Sequence, residues 1–239
     1  MRKYDEDRRV ADDVASRTIA TILRHDAKVT SYKLALFRAI NDVVLSFPDA
    51  GTHDLPVAIL LRILAEYRVA YYWPFADPRA PIFQDDPCSL RRGAVANDMA
   101  LALEELRLAW EKVMGATVRP SDGFFLINEL RVVRRREGYP PGLRRAFAQA
   151  VNAIARSIEQ PIHFAGHGEW GGFPRPVAYA ALASRAVGVP GTVATERCLV
   201  IDRESQGGFR DLSLWVDALA PTSSPCLPSR WSTSQKSTH

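Results

Sequence analysis

The chain has 239 residues, of which 47% are hydrophobic and 24% charged, with a formal charge of +4. That length fits one or two domains of about 100–200 residues each, and the mild charge cannot by itself identify a nucleic-acid binder. Three cysteines far apart, Cys88, Cys198 and Cys226, argue against a disulfide framework or a cysteine-based zinc site and suit a reducing cytoplasm. The opening "MRKYDEDRRVADD" has no apolar stretch of the kind a secretory signal needs.

The first predicted helix covers residues 10–24, with Ala15, Ile19, Ile22 and Leu23 on one face. A polar turn follows, and a second helix starts at Thr30 or Ser31 and keeps the i, i+3, i+4, i+7 rhythm through Leu36, Phe37, Ile40, Val43, Val44 and Phe47 until Pro48. The third, "LPVAILLRILAEYRVAYYWPF", starts near Asp54 with Pro56 in its first turn. It is apolar nearly all round but interrupted by Arg62, Glu66 and Arg68, which makes it a core helix and not a membrane span. The segment "PFADPRAPIFQDDPCSLRRG" then carries four prolines and reads as a long surface connection.

The fourth helix is the clearest, because Met99, Leu103, Leu106, Trp110 and Val113 recur at steps of four and three while Glu104, Glu105, Arg107 and Glu111 take other faces. "SDGFFLINELRVVRRR" fits a short helix through Leu126, Leu130 and Val133, although its Phe-Phe-Leu-Ile run also fits a buried strand. A fifth helix is predicted over residues 141–159, with Leu143, Phe147, Val151, Ile154 and Ile158 inward. Past Gln160 the short β-prone runs in "PIHFAGHGEWGGFPRPVAY" and "ERCLVIDRE" suggest a small sheet. Helical spacing returns in "FRDLSLWVDAL" through Phe209, Leu212, Trp215, Val216 and Leu219.

The expected fold is therefore mainly α, a helical bundle over residues 1–160 with a small appended α+β segment over residues 161–219. Residues 220–239, "APTSSPCLPSRWSTSQKSTH", are dominated by Ser, Thr and Pro and cannot bury enough apolar surface to offset ordering their backbone. Two readings fit this segment, a plain disordered tail and a chain that has left its ancestral reading frame near Ala220.

Local charge is more informative than net charge. "LRVVRRREGYPPGLRR" holds Arg131, Arg134, Arg135, Arg136, Arg144 and Arg145 against a single Glu137, with Tyr139 among them. In a continuous helix Arg131, Arg134 and Arg135 share a face, and the next helix continues a polar stripe through Arg145, Gln149, Asn152 and Arg156. Arginine and amide side chains reach phosphates and base edges. The plainer reading is a solvated surface of Arg–carboxylate pairs.

A second basic feature lies at the start of the second helix, where Lys28 and Lys33 flank the hydroxyls of Thr30 and Ser31. A helix N-terminus favours acidic neighbours, so lysine there raises the question of a compensating phosphate. A simple hydroxyl cap with Lys33 extended into water is the alternative. His163, His167 and Glu169 form a weak metal-ligand candidate, but their glycine-rich context is not the helical H-E-x-x-H arrangement. His25 and His53, each followed by an Asp, fit turn chemistry. The chain carries no G-x-S-x-G, P-loop or G-x-G-x-x-G motif.

The phrases "TILRHDAKVTSYKLALFRAINDVVLSF", "VAYYWPF", "DGFFLINELRVVRRR", "YPPGLRRAFAQAV" and "FRDLSLWVDAL" together resemble the N-terminal region of bacterial HNH-endonuclease-domain proteins, over about residues 14–219. In that family the last of these helices leads into further helix and a C-terminal HNH module, in which a histidine activates water and further His or Asn residues hold a divalent metal. Past Ala220 this sequence has only His239, so no catalytic residue carries over and no cofactor is expected in this chain. The resemblance implies a DNA-binding, targeting role without cleavage, in the restriction or defence setting of such nucleases, with the divalent metal belonging to the missing module. From the residues themselves, a helical protein–protein interaction module with no nucleic-acid role stays open, as does an enzyme built on the His163, His167 and Glu169 set.

Overall fold

The computed structural model describes residues 16, 17, 19, 20, 31–52, 55–77, 94–115, 118, 119, 121–164, 178–180, 186–192 and 197–219. It is mainly helical, with one small mixed sheet. The chain forms two compact units, one from residues 1–68 and 154–221 and the other from residues 69–153 and 222–239.

Among the described residues, the first unit is built on the sheet and the helices beside it. Residues 16, 17, 19 and 20 are helical and Ile19 is buried, in keeping with the predicted first helix, the rest of which lies outside the described residues. Helix α1, Ser31–Ser46, runs as expected and ends before the 3-10 turn Pro48–Thr52. Of the positions that the spacing marked, Leu36, Phe37, Ile40, Val43 and Val44 are buried, while Phe47, just past the helix, is half-buried.

The third predicted element is corrected. Its first part is not helix but strand β1, Val57–Leu60, and helix α2 begins only at Leu61 and runs to Tyr72. All four strand residues are buried, and β1 has a neighbour on each edge: β4, Arg197–Ile201, antiparallel from Val57↔Ile201 to Leu60↔Cys198, and β3, Val187–Gly188, parallel at Val57↔Val187 and Ala58↔Gly188. A strand covered on both faces has no alternation, so periodicity cannot separate it from a buried helix. Pro56 is part of this pairing instead of a helix start, since its carbonyl accepts the Val187 N–H at 2.8 Å. Strand β2, Ala178–Ala180, completes the order β2-β4-β1-β3 on the outer edge of β4. Thus β1, from within residues 1–160, is an inner strand of a sheet whose other members come from residues 161–219. The turn after β3 closes through Thr192, whose N–H and hydroxyl both donate to the Val189 carbonyl, with Gly191 at φ +86° where a side chain would be strained.

The helix predicted over "FRDLSLWVDAL" is two, α7 (Arg203–Asp211) and α8 (Ser213–Leu219), separated at Leu212. Helix α7 begins earlier than apolar spacing suggested because Asp202 caps it, its carboxylate accepting the Ser205 N–H at 2.7 Å. Such a cap contributes about 1 kcal/mol, enough to offset one of the two helical glycines, Gly207 or Gly208. Both helices pack on α1, with the rings of Phe37 and Phe209 at 5.4 Å. Phe209 and Val216 are buried as expected, but Trp215 is 61% exposed, since it lies about 100° around the helix from Val216.

The second unit is helical throughout its described residues. The 3-10 turn Trp73–Phe75 leads away from α2, and helix α3, Ala94–Met114, buries Met99, Leu103, Leu106 and Trp110. Residues 78–93, most of the predicted connection, lie outside the described residues. Helix α3 ends where Gly115, at φ +61°, returns its N–H to the Glu111 carbonyl. The ambiguous "SDGFFLINELRVVRRR" segment is helical, as α4 (Asp122–Arg131) and a single turn α5 (Val133–Arg136). Helix α6, Pro141–Phe164, begins in this unit, where Leu143, Phe147 and Val151 are buried, and its residues from 154 on, with Ile154 and Ile158 buried, belong to the first unit. It continues past residue 159, so Pro161–Phe164 is helix and not the start of the sheet segment. The extension forms in spite of Pro161, which has no backbone N–H to return to the preceding turn.

Candidate nucleic-acid interface

The basic cluster is organised by Trp110 and Glu129. Trp110, fully buried on α3, meets Phe125 of α4 edge-on at 6.0 Å and Tyr139, in the turn before α6, at 5.9 Å. This aromatic contact carries the Tyr139 hydroxyl to Glu129 of α4, where it donates to Oε2 at 3.2 Å. Arg135 reaches the same carboxylate from α5, donating through Nη1 to Oε1 at 3.3 Å and to the Asn128 carbonyl at 3.5 Å.

That arrangement alters the expected common face. The backbone leaves helical geometry at Val132 (φ −82°, ψ 116°), so Arg131 closes α4 while Arg134 and Arg135 stand on a separate turn. A helix that continued straight would carry the chain away along α4, whereas the break turns it back over Glu129 and Trp110. Arg135 is neutralised by Glu129, and Arg131 is half-buried and engaged. Arg134 and Arg145 are exposed and Arg136 half-buried, and none of the three has an ion-pair partner among the described residues. Arg144 is half-buried with its Nε enclosed and given no acceptor there.

Helix α6 divides its faces sharply. Leu143, Phe147, Ala150 and Val151 are buried, while Arg145, Ala148, Gln149 and Asn152 are exposed, and Arg156 follows on the same side. The predicted polar stripe is therefore on the surface. From Pro141 to Ile158 the helix has no acidic residue, and none stands in its first turn.

Sequence reasoning missed Glu129 and Tyr139 as organisers. Glu129 and Arg135 are six residues apart, which is not a helical neighbour spacing, so only the break at Val132 brings them together. Burial and the Glu129 carboxylate, by its charge and by its hydrogen bond, raise the Tyr139 phenol above its ordinary range, with Arg135 opposing. Because a raised acid stays protonated longer in the folded state, its contribution to stability is complete below the unfolded pKa, about 10, and is lost as pH rises through the folded value. Glu129→Gln is expected to bring the phenolate transition of Tyr139 down toward the ordinary value, as read by difference absorbance in a Trp- and Tyr-resolved titration; an unmoved transition would show that burial alone sets it.

The second basic feature belongs to the other unit. Ser31 and Lys33 open α1, but their side chains, together with Lys28 and Thr30, lie outside the described residues. His163 is in the last turn of α6 with its side chain outside the described residues, as are His167, Glu169, His25 and His53 altogether. Among the described residues no group of three His, Cys, Asp or Glu side chains could share a metal ion, and Cys198 is a buried free thiol in β4. A recess in the first unit, walled by Val43, Phe47, Val57 and Val189 with Gln206 and Arg210 beside it, has room for about one water, 10 Å³. Small-molecule sites are commonly about 300–1,000 Å³, so this recess is not one. No described helix is long and apolar enough to cross a membrane.

Fold and surface thus define a mainly helical protein with a small mixed sheet and an arginine-bearing helical face. The chain belongs to the family described as Domain of unknown function (DUF8808), whose model matches residues 12–238 and so includes the Ser-, Thr- and Pro-rich final segment. No curated protein and no solved structure matches it.

Proposed function

We propose that the second unit binds duplex DNA through its arginine face, and that the chain is the targeting part of an HNH-endonuclease-like protein, without cleavage of its own. The observation that carries this reading is the trio Arg134, Arg136 and Arg145, which have no ion-pair partner among the described residues; the first two stand on α5 and the third in the acid-free stretch of α6. Guanidinium groups in that state attract phosphate and release counterions when they bind it. The family resemblance supplies the link to nucleases, and no catalytic role is assigned to any residue here.

The test is duplex affinity by fluorescence anisotropy across a salt series. Replacing Arg134, Arg136 and Arg145 together by Gln is expected to weaken binding and to flatten the plot of log affinity against log salt by about 0.9 for each phosphate that is no longer neutralised. Arg135→Gln alone should change the slope little, because Glu129 already occupies that side chain. Unchanged affinity and slope in the triple variant would falsify the assignment.

A helical interaction module with no nucleic-acid role is favoured by a different observation. Leu101 and Leu108, seven residues apart on α3, are 58% and 43% exposed, the spacing of a helix-packing seam. That reading expects concentration-dependent self-association in sedimentation, abolished by Leu101→Glu with Leu108→Glu, and a monomer at all concentrations counts against it.

A further inference from the structure

Resting on the DNA-binding reading above, we infer that α6 is the element that reads sequence, entering the major groove with Gln149 and Asn152 directed at adenines while Arg145 holds the phosphate backbone beside them. All three side chains are exposed, and they stand at steps of four and three on the face opposite buried Leu143, Phe147, Ala150 and Val151. The helix is thus held from behind by packed apolar groups, and its outer face is free to dock.

The chemistry of that face is selective. Arg145, Gln149 and Asn152 are accompanied by Ala148, whose methyl group lets the helix backbone come close to a groove floor. A solvated face of ordinary type would carry Glu and Lys; here the exposed positions from Arg145 to Asn152 hold no carboxylate that would repel phosphate. A helix about 10–12 Å across matches the major groove, about 12 Å wide. Seven residues of helix advance about 10 Å, close to three base-pair steps at about 3.4 Å each. Carboxamides pair bidentately with adenine N6 and N7, so two such side chains on adjacent turns read two positions of a short site. Arg134 and Arg136, on the turn that precedes α6, supply phosphate contacts without sequence information.

The test separates sequence readout from simple charge attraction. Wild-type protein, the Gln149→Ala, Asn152→Ala double variant and the triple arginine variant are each put through selection on a randomised duplex library, with anisotropy on the enriched and a scrambled duplex. The wild type is expected to enrich a short motif with adenine at two nearby positions and to prefer it by about five- to a hundred-fold per adenine contact. The double variant is expected to lose that preference while keeping the salt slope and scrambled-duplex affinity. Both substituted side chains are exposed, and unchanged circular dichroism excludes unfolding as the cause. Salt-dependent binding by the wild type without enrichment, or enrichment kept by the double variant, overturns the readout by α6 and leaves the phosphate-binding reading intact. Failure of the wild type to bind any duplex overturns both.

Discussion

Replacing Arg107 by methionine is expected to destabilise the second unit by about 3–5 kcal/mol, the usual consequence of removing one partner from a buried charge network. Arg107 is only 5% exposed, and its guanidinium does four things at once. Nη1 donates to the Trp73 carbonyl at 3.1 Å, Nη2 donates to Asp77 Oδ2 at 3.2 Å, Nε lies 3.5 Å from Glu111 Oε1, and the group sits 5.8 Å from the centre of the Trp73 ring. Methionine keeps much of the stem but leaves a buried carbonyl without that donor and two largely covered carboxylates without their cation. Lysine restores a charge but not the planar fork that donates to the Trp73 carbonyl and the Asp77 carboxylate together, so Arg107→Lys should recover only part of the loss. The measurement is urea unfolding followed by far-ultraviolet circular dichroism and tryptophan fluorescence. A loss below about 1 kcal/mol for Arg107→Met would show that this network contributes no more than an exposed ion pair.

The second large effect runs against helix propensity. Glycine inside a helix is about 1 kcal/mol less favourable than alanine, so Gly123→Ala in α4 looks like a stabilising change. It is expected instead to destabilise by about 1–3 kcal/mol, because an added Cβ would stand 2.6 Å from Trp73 Cβ, 2.9 Å from its Cγ and 3.0 Å from the Ala70 backbone. Trp73 has no room to yield: it is fully buried and its indole N–H donates to the Arg119 carbonyl at 3.2 Å. Gly142, in the first turn of α6, is the control, since a Cβ there meets nothing within 4 Å and Gly142→Ala should be neutral or slightly stabilising. Equal thermal midpoints for the two alanine variants would show that α4 shifts away from Trp73 at little cost.

These two sites also show where sequence and structure part. Arg107 reads as an outward residue of the fourth predicted helix, because it falls between the apolar positions Leu103, Leu106 and Trp110 and beside charged neighbours. It is buried because Trp73 and Asp77, 34 and 30 residues away in the chain, close over it, and no local pattern records that. Arg135 reads as a free cation for the same reason, its partner Glu129 lying at a spacing that only a broken helix makes short. Of the basic segment, then, the positions Arg134 and Arg145 and the stripe Gln149 and Asn152 are legible as surface, while the half-buried Arg136 and the neutralised Arg135 are not.

What the sequence determined by itself is the mainly helical character and the burial of α1, α3 and α6, because each lies between solvent and core and must therefore repeat its apolar residues at the helical period. Tertiary structure alone decided that Val57–Leu60 is an inner strand, that α4 breaks before α5, that Gly123 must lack a side chain, and which arginines keep their charge exposed. Each of those outcomes depends on atoms brought together from distant parts of the chain, where a buried group answers to its neighbours in space and leaves no period along the sequence.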